Sequence, residues 1–404
     1  MNQVPKEALS GVRVIELATF LAGPFAGCLM ADFGAEVIKV ERPITGDEGR
    51  TLGATDGTRG GKTPWWLSFS RNKRSVTLNL GTEAGRDVLR DLVRNADVVI
   101  ENFRPGTLER WGVGYEELSA VNPGLVLLRI SGYGQTGPFR GRPGFDRVAQ
   151  AFSGAMYLTG EADGPPGRAG VSLGDYTSGL WGAFGVLLAL RARDVNGGRG
   201  QVVDHALYES ILPFLADIPD DWLRYGRIRN RSGNKHPKVA PGGCYMSGKG
   251  HWYLLSTTSQ ATYERLMRSL RLEAEMGDPR FATNALRVDN RPALDALIEK
   301  AMAAHDDAWL ESEFDHNDVP YSPVQNIQQL YEHPHVRERG NFTFIQDPEL
   351  GGVPVARPTP HLTMTPGQIR TTGPSVGEHN GEVYGGLLGY PDSKLDQLAA
   401  DGVI

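Results

Sequence analysis

Cysteine is almost missing from this chain of 404 residues: only Cys28 and Cys244 occur, far apart and with no CxxC spacing. A disulfide framework and a thiolate zinc site both lack their ligands, and a reducing compartment fits. Long apolar runs are also missing, the longest being Leu180 to Leu190, too short to span a bilayer, and the start MNQVPKEALSG has no charged-then-apolar leader. We therefore expect a cytoplasmic protein without a membrane partner. Strong charge of one sign is absent too, the net charge being −6, which gives no support to nucleic-acid binding. The nine histidines include one close pair, His333 and His335, split by Pro334 away from the i,i+4 spacing of a helical metal site, so no metal is expected.

What is present is an alternation. Short runs rich in Val and Ile, namely VRVIEL from Val12, EVIKVE from Glu36, SVTLNL from Ser75, DVVIENF from Asp97 and LVLLRIS from Leu125, read as strands. Between them AGPFAGCLMADFG and EAGRDVLRDLVRNA carry helical apolar spacing. This βαβ rhythm predicts an α/β fold with an open, mostly parallel sheet over residues 1–220. From 221 to 322 the pattern changes to a Gly-, Pro- and Arg-rich loop, a strand-like HWYLLS and amphipathic helices, predicting a smaller α+β domain. Residues 323–404 are rich in Pro and Gly and read as a segment that wraps back over another surface.

Two motif matches point to other chemistries. Gly132, Gly134 and Gly137 form a literal GxGxxG after a strand, but Pro138 and Pro143 bracket a loop where a dinucleotide fold needs a helix. Gly170, Ser172 and Gly174 match the GxSxG elbow, but ADGPPGRAG before them is a poor strand. Asp175, next in line, stands before the long apolar pattern YTSGLWGAFGVLLALRAR and reads as its helix N-cap. The donors and positive end of that helix favour the ionised carboxylate, which can act as a nucleophile. Basic residues gather in the early domain: Arg42, Arg71, Lys73, Arg74, Arg104, Arg140 and Arg142. Solvated surface is their commonest role. Arg42 and Arg104, however, follow strands almost immediately, where open α/β sheets bind ligands, and a phosphate-rich ligand suits them.

Seven segments in order, LSGVRVIELATFLAGPFAGCLMADFGAEVIKVERP, RNKRSVTLNL, DVVIENFRPGTLERWG, SGYGQTGPFRGRPGFD, GVSLGDYTSG, GRGQVVDHALYES and GPSVGEHN, together resemble the class III CoA-transferases. That family includes formyl-CoA transferase, carnitine CoA-transferase and α-methylacyl-CoA racemase. The resemblance implies a Rossmann-like large domain, a small domain and an interlocked homodimer. It implies acyl-CoA and a free carboxylic acid as substrates, with coenzyme A part of the substrate and no permanently bound cofactor. By position, Asp175 matches the nucleophilic aspartate, while Arg42, Arg71, Lys73, Arg74, Asn102 and Arg104 match positions that hold the CoA nucleotide and phosphates.

Two departures refine this. Racemases of the family carry a proton-shuttling histidine where Phe145 stands here, and phenylalanine exchanges no protons. Formyl-CoA transferase has a glutamine where Leu21 precedes Ala22-Gly23-Pro24, so formyl or oxalate specificity is not expected. Transfer through an aspartyl-CoA thioester, with succinyl-CoA as donor and a dicarboxylic acceptor, is the expected activity; a silent acyl-CoA-binding relative is the alternative. VAQAFSGAMYLTG and LPFLADIPDDWLRYG are expected to border the acyl pocket, and the Pro241-Gly242-Gly243 loop is a candidate oxyanion hole whose bland reading is an ordinary turn.

Overall fold

The Val- and Ile-rich runs form parallel strands buried on both faces. A computed structural model, which describes residues 6–53, 62–348 and 350–404, divides the chain into two units. The first comprises 1–155, 169–225 and 338–404 and holds a six-stranded sheet: β1 (Arg13–Glu16), β2 (Glu36–Glu41), β3 (Lys73–Thr77), β4 (Val98–Glu101), β5 (Val126–Ser131) and β6 (Val202–Ala206). The order is β3-β2-β1-β4-β5-β6 and every pairing is parallel. Successive residues point to opposite faces, so Val14 and Ile15, Val37 and Ile38, and Val98 and Val99 fall into separate cores above and below the sheet. That is why these strands read as continuous apolar runs. β6 was not foreseen as a strand, because Asp204 and His205 interrupt its apolar pattern.

The long helix Leu173–Val195 packs on the helix Ala22–Asp32 and on β5. Its buried face is made of small residues, Gly174, Ser178, Gly179, Gly182 and Ala183. A Cβ at Gly179 would stand 2.8 Å from both the Ala22 carbonyl oxygen and the Phe25 ring, so only glycine allows the two helices this approach. The outer face leaves Leu180, Phe184, Leu188 and Val195 exposed.

The tail from residue 338 belongs to this unit. Strands β10 (Phe342–Asp347) and β11 (Gly351–Ala356) form a hairpin. The GPSVGEHN segment and the turn after it then grip edge strand β3: Gly377 N–H donates to Ser75 Oγ (3.0 Å), Asn380 Oδ1 accepts from Thr77 N–H (2.8 Å) and the Tyr384 hydroxyl donates to the Thr77 carbonyl (2.7 Å).

The second unit comprises 156–168 and 226–337. β7 (Gly242–Met246), β8 (Trp252–Ser256) and β9 (Tyr321–Pro323) make an antiparallel sheet against helices Gln260–Ser269, Arg291–Ala303 and Asp307–His316. Its end thus lies at 337 where the sequence suggested 322, because β9 pairs with β8 and carries the following helices with it. Gly242 and Gly243 open strand β7 opposite Ser256 and Leu255, a ladder position where a free loop was expected.

Candidate active site

In the order β3-β2-β1-β4-β5-β6 the winding direction reverses between β1 and β4, and open α/β sheets bind ligands at that point beyond the strand ends. Here Asn102, just after β4, ties the two strand ends together: its Oδ1 accepts from Thr19 N–H at 2.8 Å and its Nδ2 donates to the Thr19 carbonyl at 2.7 Å. A cavity of about 210 Å³ opens there, lined by the loops after β1 (Thr19 to Ala22), β4 (Asn102 to Pro105) and β5 (Gly132, Arg142 to Phe145), with Asp175 at one wall.

The β1 loop is held by buried charges. Lys39 Nζ donates to the Ala18 carbonyl (2.8 Å) and pairs with Asp47 (2.8 Å), whose other oxygen accepts from Phe20 N–H (3.2 Å). Burial alone would disfavour both charges, but each stabilises the other, keeping the Lys39 ammonium above and the Asp47 carboxyl below their ordinary ranges. This clamp fixes Phe20 in the left-handed region, at φ +63°, an uncommon conformation for a bulky residue, and presents its ring edge-on to Phe145 at 6.2 Å.

The β5 loop is helix-free from Gly132 to Phe145, as the two prolines suggested. Gly132 and Gly144 cross so closely that a Cβ on Gly132 would stand 2.6 Å from Gly144 Cα, and this contact folds the loop over the cavity.

Asp175 is not the N-cap. The helix begins at Leu173 after Ser172, and Asp175 lies in its first turn. The first-turn donors go to Asp146: Gly174 N–H at 2.7 Å and Asp175 N–H at 3.4 Å, both to Oδ1, while Gln150 donates to Oδ2 at 2.7 Å. Asp146 lies 29 residues away in sequence, so no local pattern marks it as the cap. The helix end therefore does not hold Asp175 ionised as expected. Burial first, and then the nearby Asp146 charge, push the Asp175 carboxyl up to about 7. The carboxylate opens on the cavity, and among the described residues no side chain or backbone group donates to it.

A raised carboxyl is also a stability statement. Below the ordinary value of 3.8 both folded and unfolded chains hold the proton; between 3.8 and about 7 the unfolded chain has released a proton that the folded chain still holds, so stability falls across that window and levels off above it. Asp175→Asn is expected to melt at a higher temperature than the parent at pH ~8, with the gap closing toward pH ~4, as thermal melts at several pH values will register.

The expected phosphate ligands separate into groups. Lys73 is fully buried between Glu16 (2.8 Å) and the Pro24 carbonyl (2.7 Å), and burial lowers its ammonium. Arg71 is buried against Asp32 (2.6 Å) and the Ser68 carbonyl (2.7 Å). Arg74 pairs with Glu36 (2.9 Å), the first residue of β2, toward the amino end of the sheet and opposite the cavity. In this structure the three RNKRS cations are thus engaged by the protein itself, and none of them lines this cavity. They pair with carboxylates that are close only in the fold. Arg42 is exposed and, among the described residues, pairs only with the exposed Glu48, on a loop whose Asp47 binds Phe20; such a surface pair is readily exchanged for another anion. Asn102 and Arg104 line the cavity, and Arg104, like Arg142, has no carboxylate partner among the described residues.

Leu21 and Phe145 also line it, so both departures noted in the sequence fall at the site. The segments expected to border the acyl group, 148–160 and 212–226, are not among its lining residues, and Phe20, Phe103, Ile130 and Leu207 supply the apolar wall instead. Phe20 and Phe103 had no sequence signal beyond standing just after a strand.

Fold and cavity together define a doubly wound α/β protein with its ligand crevice at the sheet's reversal point. Residues 9–380 match the family model described as CoA-transferase family III, and the chain belongs to that family of enzymes. It is 40% identical over 403 residues to the succinyl-CoA–D-citramalate CoA-transferase of Chloroflexus aurantiacus, covering 100% of each chain. It is 35% identical to the succinate–glutarate CoA-transferase of Agrobacterium fabrum, covering 96% of this chain and 98% of that one. Among solved structures it is similar to a CAIB/BAIF family protein from Brucella suis, with a TM-score of 0.84, 35% identity and coverage of 95% and 100%.

Proposed function

We propose that this enzyme moves coenzyme A from succinyl-CoA to a free dicarboxylic acid by way of a covalent aspartyl-CoA thioester on Asp175. The observation that carries this reading is a cavity carboxylate with no donor among the described residues, beside two arginines, Arg104 and Arg142, with no carboxylate partner among them.

The Asp175 carboxylate attacks the thioester carbonyl, the C–S bond breaks, and a mixed anhydride and CoA thiolate result. The thiolate attacks the aspartyl carbonyl, releasing the donor acid and leaving Asp175 as its CoA thioester. The acceptor carboxylate attacks that thioester and a second anhydride forms. Returning thiolate attacks its acyl carbonyl, giving the new acyl-CoA and restoring Asp175. Each oxyanion needs donors, and the helix Ala22–Asp32 begins at the cavity with first-turn N–H groups that have no intrahelical acceptor. Arg104, with Arg42 from the loop after β2, meets the CoA phosphates, and Asn102 positions the loop that bears Arg104.

The names of the relatives support succinyl-CoA as donor and a small dicarboxylic or hydroxy-dicarboxylic acceptor. Phe145 in the cavity supports transfer over racemisation, since it has no proton to exchange. The exposed apolar face of helix Leu173–Val195 supports a homodimer in which a second copy covers it. A panel of acyl-CoA donors crossed with free acids, read by mass spectrometry, tests the reading. New dicarboxylyl-CoA formed from succinyl-CoA with one succinate released per transfer is expected; free CoA without an acceptor would mark a hydrolase, and no turnover in any combination a silent binder.

A further inference from the structure

A dicarboxylic acyl group brings a second negative charge into this cavity. While one carboxyl is a thioester or anhydride at Asp175, the other remains an anion beside Phe20, Leu21, Phe103 and Phe145, where an unpaired charge is costly. Resting on the dicarboxylate reading above, we propose that Arg142 receives this distal carboxylate and is the residue that selects dicarboxylic over monocarboxylic acyl groups.

Arg142 stands on the loop pinned by the Gly132–Gly144 crossing, and its N–H donates to the Phe139 carbonyl at 2.8 Å, closing a turn. Its guanidinium lies 3.6 Å over the centre of the Phe139 ring. Phe139 in turn packs on Tyr133 at 5.7 Å and Phe152 at 5.9 Å, and Phe152 meets Tyr208 edge-on at 4.9 Å. One face of the cation is held on an aromatic base while its donor edge has no carboxylate partner among the described residues. A fork fixed in this way loses little freedom on binding a carboxylate in two-point fashion. The same loop carries Phe145, whose ring faces Phe20 and offers an apolar clamp for the methylenes between the two carboxyls. Arg104, on a different loop and with no ring beneath it among the described residues, is free to follow phosphates, a part of the substrate shared by every acyl-CoA.

The test compares succinyl-CoA with butyryl-CoA, which replaces the distal carboxylate by a methyl group, at one fixed acceptor acid. Arg142→Gln is expected to lose roughly 30-fold in kcat/KM on succinyl-CoA and less than about threefold on butyryl-CoA, with Arg142→Lys recovering part of the loss. Arg104→Gln is expected to lose equally on both donors. Retained activity on butyryl-CoA shows that the variant is folded. If Arg142→Gln keeps the parent's selectivity, or loses both donors alike, the proposal is overturned while the dicarboxylate reading stands. If the parent itself has no preference for succinyl-CoA, that reading falls and the proposal with it.

Discussion

Asp175→Ala is expected to lower CoA transfer by roughly 10⁴-fold or more, with binding of acyl-CoA little changed. The magnitude follows from the chemistry: the carboxylate is a covalent reactant, and among the described residues no second carboxylate lines the cavity to replace it. Incubating the parent enzyme with succinyl-CoA and no acceptor should accumulate an adduct of CoA mass on the peptide holding Asp175, and hydroxylamine should convert that residue to its hydroxamate. A variant that exchanges CoA between acids at the parental rate, or an adduct mapped elsewhere, would remove the covalent route. Because the side chain makes no hydrogen bond to protein among the described residues, its truncation does not break a network that supports the fold.

The pH profile carries the second large effect. The attacking species is the carboxylate, and burial together with Asp146 places the Asp175 carboxyl at about 7. Rate should therefore rise with pH, reach its midpoint near 7 and fall by about tenfold for each pH unit below that, or roughly 100-fold by pH 5. Asp146→Asn keeps an oxygen for the Gly174 and Asp175 N–H groups but removes the like charge, so the midpoint is expected to move to lower pH. Measuring kcat/KM across pH for both proteins decides the matter. A midpoint that stays in place after Asp146→Asn would mean that the Asp146 charge has no part in setting it.

This arrangement inverts the reasoning that first drew attention to Asp175. The sequence suggested a cap whose helix keeps the carboxylate ionised at low pH. In the fold, Asp146 supplies the capping acceptor from a neighbouring helix and takes the first-turn donors, leaving Asp175 desolvated and, among the described residues, unpaired. A carboxylate in that state is a stronger base, and hence a stronger nucleophile, than a capped one. The cost falls on stability at neutral pH, which is why the Asn variant is expected to be the more stable protein.

Much of the scaffold was legible without coordinates. Runs such as EVIKVE and LVLLRIS could only be strands covered on both faces, and the helical patterns between them required crossovers, so a parallel sheet followed. The long apolar helix after Ser172 was visible as a pattern, though the close contact of its Gly179 with Ala22 and Phe25 was not. β6 stayed hidden because a short strand with Asp and His has no distinctive period.

The cations show where sequence stops. Arg71, Lys73, Arg74 and Arg104 are equivalent as letters near strands, yet three of them spend their charge on Asp32, Glu16 and Glu36, and only the fourth meets the cavity. The sequence by itself determined the alternation of five parallel strands with helices, the scarcity of cysteine, and the presence of Asp175 at the start of a long helix and of Phe145 in a proline-bracketed loop. Tertiary structure alone decided which charges are neutralised and which remain free for a ligand, because Coulomb attraction and desolvation depend on distance and burial in space, and the partners that settle them lie tens of residues apart along the chain.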